Sequence, residues 1–309
     1  MPIKTIVFTG DSHTCGQGAS GFEDEPCSVY NTNGKGVTKY APAGCTCYVN
    51  LVRDFITENT NSKAFEMSGK ELSKKNNLPL VNGYAKLEGE IKFPVNADFI
   101  LIGFAEKSAP ASADIYLDGK LYKREYLHAE ITRHDDWSQR YVPVYSGGAR
   151  EISILPAEGE VFIKYMEFCS GEYAVINSGI GSCTTKRLLE DCFDYAVAAF
   201  NPDIIIAEAQ TINDWINLTP TECRENLEKL LDAFKETGAK VLMTTVSPIL
   251  GEQKRTENSD NYQKYVDISK ETAMSKDITL IDSGKIMTER LQGLSDNEKL
   301  SLMYSDNGM

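Results

Sequence analysis

Three short polar stretches carry residue types that can act on a carbonyl carbon. In Gly10-Asp11-Ser12-His13-Thr14, Gly10 permits a tight turn and close substrate approach. Ser12 there can present both its hydroxyl and its own N–H to a bound carbonyl, or simply cap the next segment. Asn177-Ser178-Gly179-Ile180-Gly181-Ser182-Cys183-Thr184-Thr185 is rich in glycine and runs into a helical pattern. Its backbone N–H groups suit an anion, although a loop with a Thr cap reads the same way. Glu208-Ala209-Gln210-Thr211-Ile212-Asn213-Asp214-Trp215 holds Asn213. An Asn amide can donate to a developing oxyanion, worth roughly 3–4 kcal/mol where such donors have been removed. Asn-Asp is also a common turn.

Each stretch follows an apolar run that reads as a strand. Ile3–Phe8 precedes the first, Ala174-Val175-Ile176 the second and Asp203–Ala207 the third. Tyr48–Thr57 places Val49, Leu51, Val52 and Ile56 near one helical face, and Leu188, Leu189, Cys192, Phe193, Ala196, Val197 and Phe200 recur at helical spacing. Thr219-Pro220-Thr221-Glu222 has a cap residue, Pro at the first helical position and Glu three after the cap, and Gly238 stops that helix. Val241–Thr245 and Ile278–Ile281 read as strands on either side of a helix over Tyr262–Ala273. Strands separated by helices predict a doubly wound parallel α/β sheet, whose ligands bind at the carboxyl ends of the strands.

Residues 65–171 read differently. Leu87, Ile91 and Phe93 alternate with charged residues, Phe99–Phe104 is almost wholly apolar, and Asp118-Gly119 between Ile115-Tyr116-Leu117 and Leu121-Tyr122 signals a hairpin. Tyr141–Tyr145, Glu151–Leu155 and Val161–Phe168 add further short strands. The expectation is a β-sandwich over 65–171 inserted into an α/β domain made of 1–64 and 172–309. Tyr126, Trp137, Tyr141 and Tyr145 are its candidate exposed aromatics, with sandwich core as the other assignment.

Taken together and in this order, the three stretches resemble the SGNH hydrolases, the GDSL-type esterase and lipase superfamily. Gly10-Asp11-Ser12 is similar to its first block, Asn177 through Thr184 to its second, and Thr211-Ile212-Asn213-Asp214 to its third, Gly-x-Asn-Asp. The resemblance implies a flavodoxin-like three-layer sheet and acyl transfer through an ester on Ser12. It also implies an oxyanion held by the N–H of Ser12, a backbone N–H at Gly181 or Ser182, and the Asn213 side chain. Gly10, Asp11, Asn177 and Asp214 support the motifs. The substrate class is a small-molecule or carbohydrate ester, with an O-acetyl carbohydrate as the specific case. Neither cofactor nor metal is implied, and no His or carboxylate cluster shows ligand spacing along the sequence.

The chain departs from the family pattern in three places. Ser182 stands at the second-block glycine and Thr211 at the third-block glycine. The last block, Asp-x-x-His, meets Tyr304-Ser305-Asp306-Asn307-Gly308-Met309, so Asp306 is the acidic member and Met309 falls in the His slot. Of the three histidines, His13 adjoins Ser12, and His128 and His134 lie in the β-rich part; none is expected to replace the base. The expectation is a chain cut short of its general base. A non-catalytic glycan- or partner-binding protein on the same scaffold is the alternative, and the codons beyond 309 discriminate: a His within one or two supports the enzyme.

Composition narrows the partners. With 32 Lys+Arg against 45 Asp+Glu, the 309-residue chain carries a net charge of −13, which argues against nucleic acid and against an anionic membrane surface. At 41% hydrophobic and 25% charged residues it is not a disordered chain. No apolar run reaches the ~18–20 residues that span a bilayer, and Met1-Pro2-Ile3-Lys4 leads straight into a strand with no export signal. The expectation is a cytoplasmic protein whose eight cysteines are reduced thiols. Cys45-Thr46-Cys47 lacks zinc-finger spacing.

The missing base sets the first prediction. The 309-residue chain turns over a short-chain aryl acetate at near-background rate, because loss of a triad base costs up to about a million-fold in turnover. Robust hydrolysis that depends on Ser12 overturns it.

Overall fold

The computed structural model describes residues 2–16, 46–128, 138–209, 211–246, 259–295 and 297–298. From the N-terminus, β1 (Lys4–Gly10) leads into the short helix α1 (Ser12–Cys15). Next come α2 (Tyr48–Asn59), β2 (Lys63–Ser68), α3 (Gly69–Asn76), β3 (Leu80–Val81), β4 (Tyr84–Lys86) and β5 (Ile91–Pro94). Longer strands follow: β6 (Phe99–Glu106), β7 (Ala111–Leu117), β8 (Lys120–Leu127), β9 (Ser138–Tyr145), β10 (Glu151–Glu158) and β11 (Phe162–Ser170). From β12 (Tyr173–Gly179) the pattern alternates through α4 (Thr185–Arg187), α5 (Phe193–Ala196), β13 (Ile204–Glu208), α6 (Thr211–Asn217) and α7 (Pro220–Glu236). The last elements are β14 (Lys240–Thr244), α8 (Ser259–Ser275), β15 (Thr279–Ile281) and α9 (Ser283–Arg290). The described chain divides into two compact units, one of 2–5, 52–128 and 138–174, the other of 6–16, 46–51 and the described residues from 175 onward.

The second unit is the α/β part. Its five-stranded sheet has the order β12-β1-β13-β14-β15. Numbered by their own succession these strands run 2-1-3-4-5, the doubly wound arrangement expected from the sequence. β1 pairs in parallel with β13 (Ile6↔Ile204 to Thr9↔Ala207), β13 with β14, and β14 with β15. All of β1 beyond Lys4 is buried, which is why its run is apolar without alternation. The reversal of strand order lies between β1 and β13, and in such sheets the crevice at that reversal is where ligands bind.

Helix α7 forms as the cap signal predicts. Thr219 and Glu222 make a reciprocal capping box, Pro220 opens the first turn, and Gly238 follows at φ +82°. Leu227, Leu230, Leu231 and Phe234 then pack with Ile205 and Ala207 of β13 and with Val241 and Met243 of β14. The segment after α4 is not the regular helix that its spacing predicts. Leu188–Cys192 is a π-turn and Ala198–Phe200 a 3-10 turn. Leu188, Cys192, Ala196 and Phe200 are all buried at intervals of four, which outruns the 3.6-residue period, and the wider π-turn absorbs the drift. In α2, Val49 is buried but Leu51 is exposed, against expectation. A helix turns about 100° per residue, so Leu51 lies roughly 200° from Val49.

The first unit holds two antiparallel sheets, β5-β10-β7-β8 and β3-β4-β11-β6-β9, with β2 also paired to β11. Ile91, Phe93, Ile115 and Ile154 of one sheet share a core with Ile100, Ile102, Phe104 and Met166 of the other. The β7–β8 turn is the expected hairpin, with Asp118 at φ +47° and Gly119 at +74°, the signs that a type I′ turn requires. Arg140 of β9 bonds Glu106 of β6 at 2.6 Å and Glu125 of β8 at 2.9 Å, a buried ion triad that bridges the two sheets. Helix α3 interrupts the strands where none was expected, capped by a reciprocal Ser68/Glu71 box. Among the candidate aromatics, Tyr126 is 65% exposed, but Tyr141 is buried edge-on against Tyr165 and Tyr145 packs edge-on against Phe99. Trp137 lies outside the described residues.

Gly179, at the end of β12, sets how closely α1 can lie against the sheet. A Cβ there would stand 2.2 Å from Cys15 N and 2.6 Å from Thr14 C, and both obstacles are backbone. Gly179→Ala is therefore expected to cost about 1–3 kcal/mol, read as a lower urea midpoint at unchanged slope.

Candidate active site

β1 delivers its last residue, Gly10, to the strand-order reversal, and Asp11-Ser12-His13-Thr14 turns directly into α1. Asp11 is the cap of that turn: its Oδ1 accepts the N–H of His13 at 3.0 Å. Its Oδ2 accepts Nδ2 of Asn213 from α6 at 2.6 Å. The first and third sequence blocks are thus joined through a carboxylate only 1% exposed. Ser12, half-buried, sits between this anchor and His13.

The second block reaches the same place by backbone packing. Asn177 Oδ1 accepts the N–H of Gly179 at 3.1 Å, its Nδ2 donates to Cys15 O at 3.4 Å, and the N–H of Ile180 bonds Gly10 O at 3.0 Å. Gly181 and Ser182 then turn toward α4. Ser182 adopts φ +55°, the left-handed region where glycine costs least. Asp214 ties this block to the third: its buried carboxylate accepts Thr185 N at 2.8 Å and Thr185 Oγ1 at 2.9 Å. Burial pushes its pKa up to about 6, against the pull of the two Thr185 hydrogen bonds. Asn213 and Asp214, adjacent in sequence, therefore anchor to different blocks.

Four residues that the sequence left without a role complete the site. Glu208, at the end of β13, is almost wholly buried and accepts a short hydrogen bond from Thr14 Oγ1 on its Oε2. The hydroxyl of Thr14 has one proton and gives it to Glu208, so Tyr48 OH donates to Thr14 Oγ1 at 2.8 Å. Tyr48 is held at its place in α2 by an edge-on contact with Phe8 of β1. His13 turns Nδ1 toward Glu208 Oε1 at 3.5 Å and Asp11 Oδ1 at 3.8 Å. The signal for Glu208 is a charged residue ending an apolar strand at its carboxyl end. Gly10 also acquires a different reason: a Cβ there would lie 2.1 Å from Thr14 Oγ1 and 2.9 Å from Glu208 Cβ. It makes room for the protein's own side chains rather than for substrate.

The electrostatics follow from packing two carboxylates together. Asp11 is pushed up to about 6 by burial first and the Glu208 charge second, against His13 and the hydrogen bonds from His13 and Asn213. For His13 burial works against the charged ring, but the approach and charge of Glu208, together with Asp11, outweigh it and raise the pKa to about 9. Asp11, His13 and Glu208 also form the one group among the described residues with metal-ligand spacing. Sequence spacing hid it because Glu208 comes from another strand. Asp306 and His134 lie outside the described residues. The buried Nδ1 of His13 faces the two carboxylates.

Residues 161–301 match the model of the GDSL-like lipase/acylhydrolase family. Over those residues the chain is similar to that family. No curated protein matches the sequence. Among solved structures the chain is similar to a peptidoglycan O-acetylesterase, at 14% identity over 96% of this chain and 87% of that one, with a TM-score of 0.47. It is also similar to an acetylxylan esterase from Geobacillus stearothermophilus, at 18% identity over 41% and 62% with a TM-score of 0.36. A lipase/acylhydrolase from Enterococcus faecalis aligns at 26% identity over 45% and 70%, with a TM-score of 0.33. No helix among the described residues is long and apolar enough to cross a membrane.

The raised pKa of His13 is directly measurable. Its ring protons, followed by NMR in metal-free protein and assigned with His13→Gln, are expected to titrate near 9, and Glu208→Gln brings the midpoint down toward 6.5. A raised imidazole pKa stabilises the folded state fully below the unfolded value and loses that contribution as pH rises through the folded one. The contribution of His13 is therefore present below about 6.5 and gone above about 9.

Proposed function

We propose that the α/β part of the chain is an SGNH-type, serine-dependent carboxylic ester hydrolase with Ser12 as nucleophile. The observation that supports it best is the Asp11–Asn213 bond of 2.6 Å. It draws the nucleophile turn after β1 and the amide of α6 to the strand-order reversal, where this class of sheet binds ligands. Ser12 Oγ attacks the ester carbonyl as its proton passes to a base. The oxyanion is held by the N–H of Ser12, a backbone N–H at Gly181 or Ser182, and the second Nδ2 proton of Asn213. Collapse expels the alcohol, protonated by the same base, and water then releases the acid from the Ser12 ester. The base is an Asp–His pair whose Asp is Asp306.

In the finer reading, the acyl group is acetyl and the alcohol a carbohydrate, with 65–171 acting as a β-sandwich inserted into 1–64 plus 172–309. Tyr126 and Tyr122, exposed on β8, support a sugar-stacking surface there. They favour equally the second reading, a glycan-binding protein without catalysis. The six described cysteines, all buried and none in a disulfide, suit a reducing, cytoplasmic setting.

The test is acetate release from an aryl acetate and from O-acetylated xylan by protein expressed from the complete reading frame. Ser12→Ala is expected to abolish turnover, and Asn213→Ala to lower kcat about 10²–10³-fold. Turnover that survives Ser12→Ala overturns the hydrolase reading. A protein that binds the xylan without releasing acetate supports the second.

A further inference from the structure

The cluster beside Ser12 has a geometry that the ester chemistry does not use. Nδ1 of His13 is buried and makes no hydrogen bond, although two carboxylate oxygens stand 3.5 and 3.8 Å away. Those separations are long for hydrogen bonds. They are close to the ~3.4 Å between neighbouring donors on a tetrahedral ion with ligands at about 2.1 Å. One ligand atom from each of Asp11, His13 and Glu208 lies within 4.8 Å of the other two.

The far sides of the ligands are already occupied. Asn213 takes Asp11 Oδ2, Thr14 takes Glu208 Oε2, and Tyr48 backs Thr14. Each carboxylate is thereby fixed with one oxygen facing the centre, as outer hydrogen bonds fix the ligands of metal sites. Two buried carboxylates sharing one imidazole leave negative charge that a divalent cation would neutralise.

We infer that Asp11, His13 and Glu208 bind one divalent first-row cation, of which Zn²⁺ is the type, next to Ser12. One imidazole nitrogen and two carboxylate oxygens are a borderline-hard donor set that suits such an ion, and three protein ligands leave a fourth position open. Binding requires neutral His13 with its proton on Nε2, so any proton on Nδ1 leaves to solvent as the ion enters. The inference goes beyond the hydrolase reading and stands or falls separately, because its test reads binding.

The experiment is calorimetric titration of the metal-free full chain with ZnCl₂, then Co²⁺ loading followed by visible absorption. One ion per chain is expected, with four-coordinate Co²⁺ ligand-field bands and no thiolate charge-transfer band. His13→Gln and Glu208→Gln should each weaken binding at least a hundredfold with circular dichroism unchanged. If Glu208→Gln does not fold, His13→Gln at the more exposed position gives the same reading. Absence of saturable Zn²⁺ binding overturns the inference, as does binding that both variants retain or a thiolate band that places the ion on the cysteines.

Discussion

A buried carboxylate organises this protein. Asp11 follows the first strand of the α/β sheet almost without contact with water, so both of its oxygens must be satisfied from within. One takes the N–H of its own turn and forces the chain into α1; the other takes the amide of Asn213, some 200 residues later in the chain. Removing either partner would leave a buried charge short of a hydrogen bond, which is costlier than the bond is worth. The position of Ser12 is a consequence of this demand: it is the residue caught between the anchor and the first turn of the helix that the anchor caps.

The second consequence is electrostatic. Once Asp11 is placed there, Glu208 at the end of the neighbouring strand adds a second negative charge to the same small volume. Gly10 permits that approach, because any side chain at its position would collide with Thr14 and Glu208. The three ways to quiet two adjacent carboxylates are a shared proton, a counter-charge and hydrogen-bond donors. All three are in play: the raised pKa of Asp11, the imidazole of His13, and the donors Asn213 and Thr14. A cation would be a fourth, and the unbonded nitrogen of His13 is where it would enter.

Much of the fold was legible because it rests on local rules. Period-two alternation, 3.6-residue periodicity, the Thr219/Glu222 box and the Asp118-Gly119 turn each act within a few residues, and the corresponding elements are present. The misses have local causes as well. Helix α3 announces itself by Ser68 and Glu71 but sits among strands, where strand signals crowd it out. The spacing from Leu188 to Phe200 resembles a helix but exceeds its period, and only packing against the core shows that a π-turn takes up the difference.

By itself the sequence determined most of the order of strands and helices, the two-sheet character of the middle, and three blocks carrying Ser12, Ser182 and Asn213, since each depends on residues near one another in the chain. The tertiary structure alone decided that Asn213 binds Asp11, that Asp214 binds Thr185, and that Glu208, His13, Thr14 and Tyr48 share one site. Those pairings join residues from separate strands and helices, and no periodicity encodes them. They exist because parallel strands of a doubly wound sheet bring their carboxyl ends side by side, and because buried charges there must find partners wherever the fold supplies them.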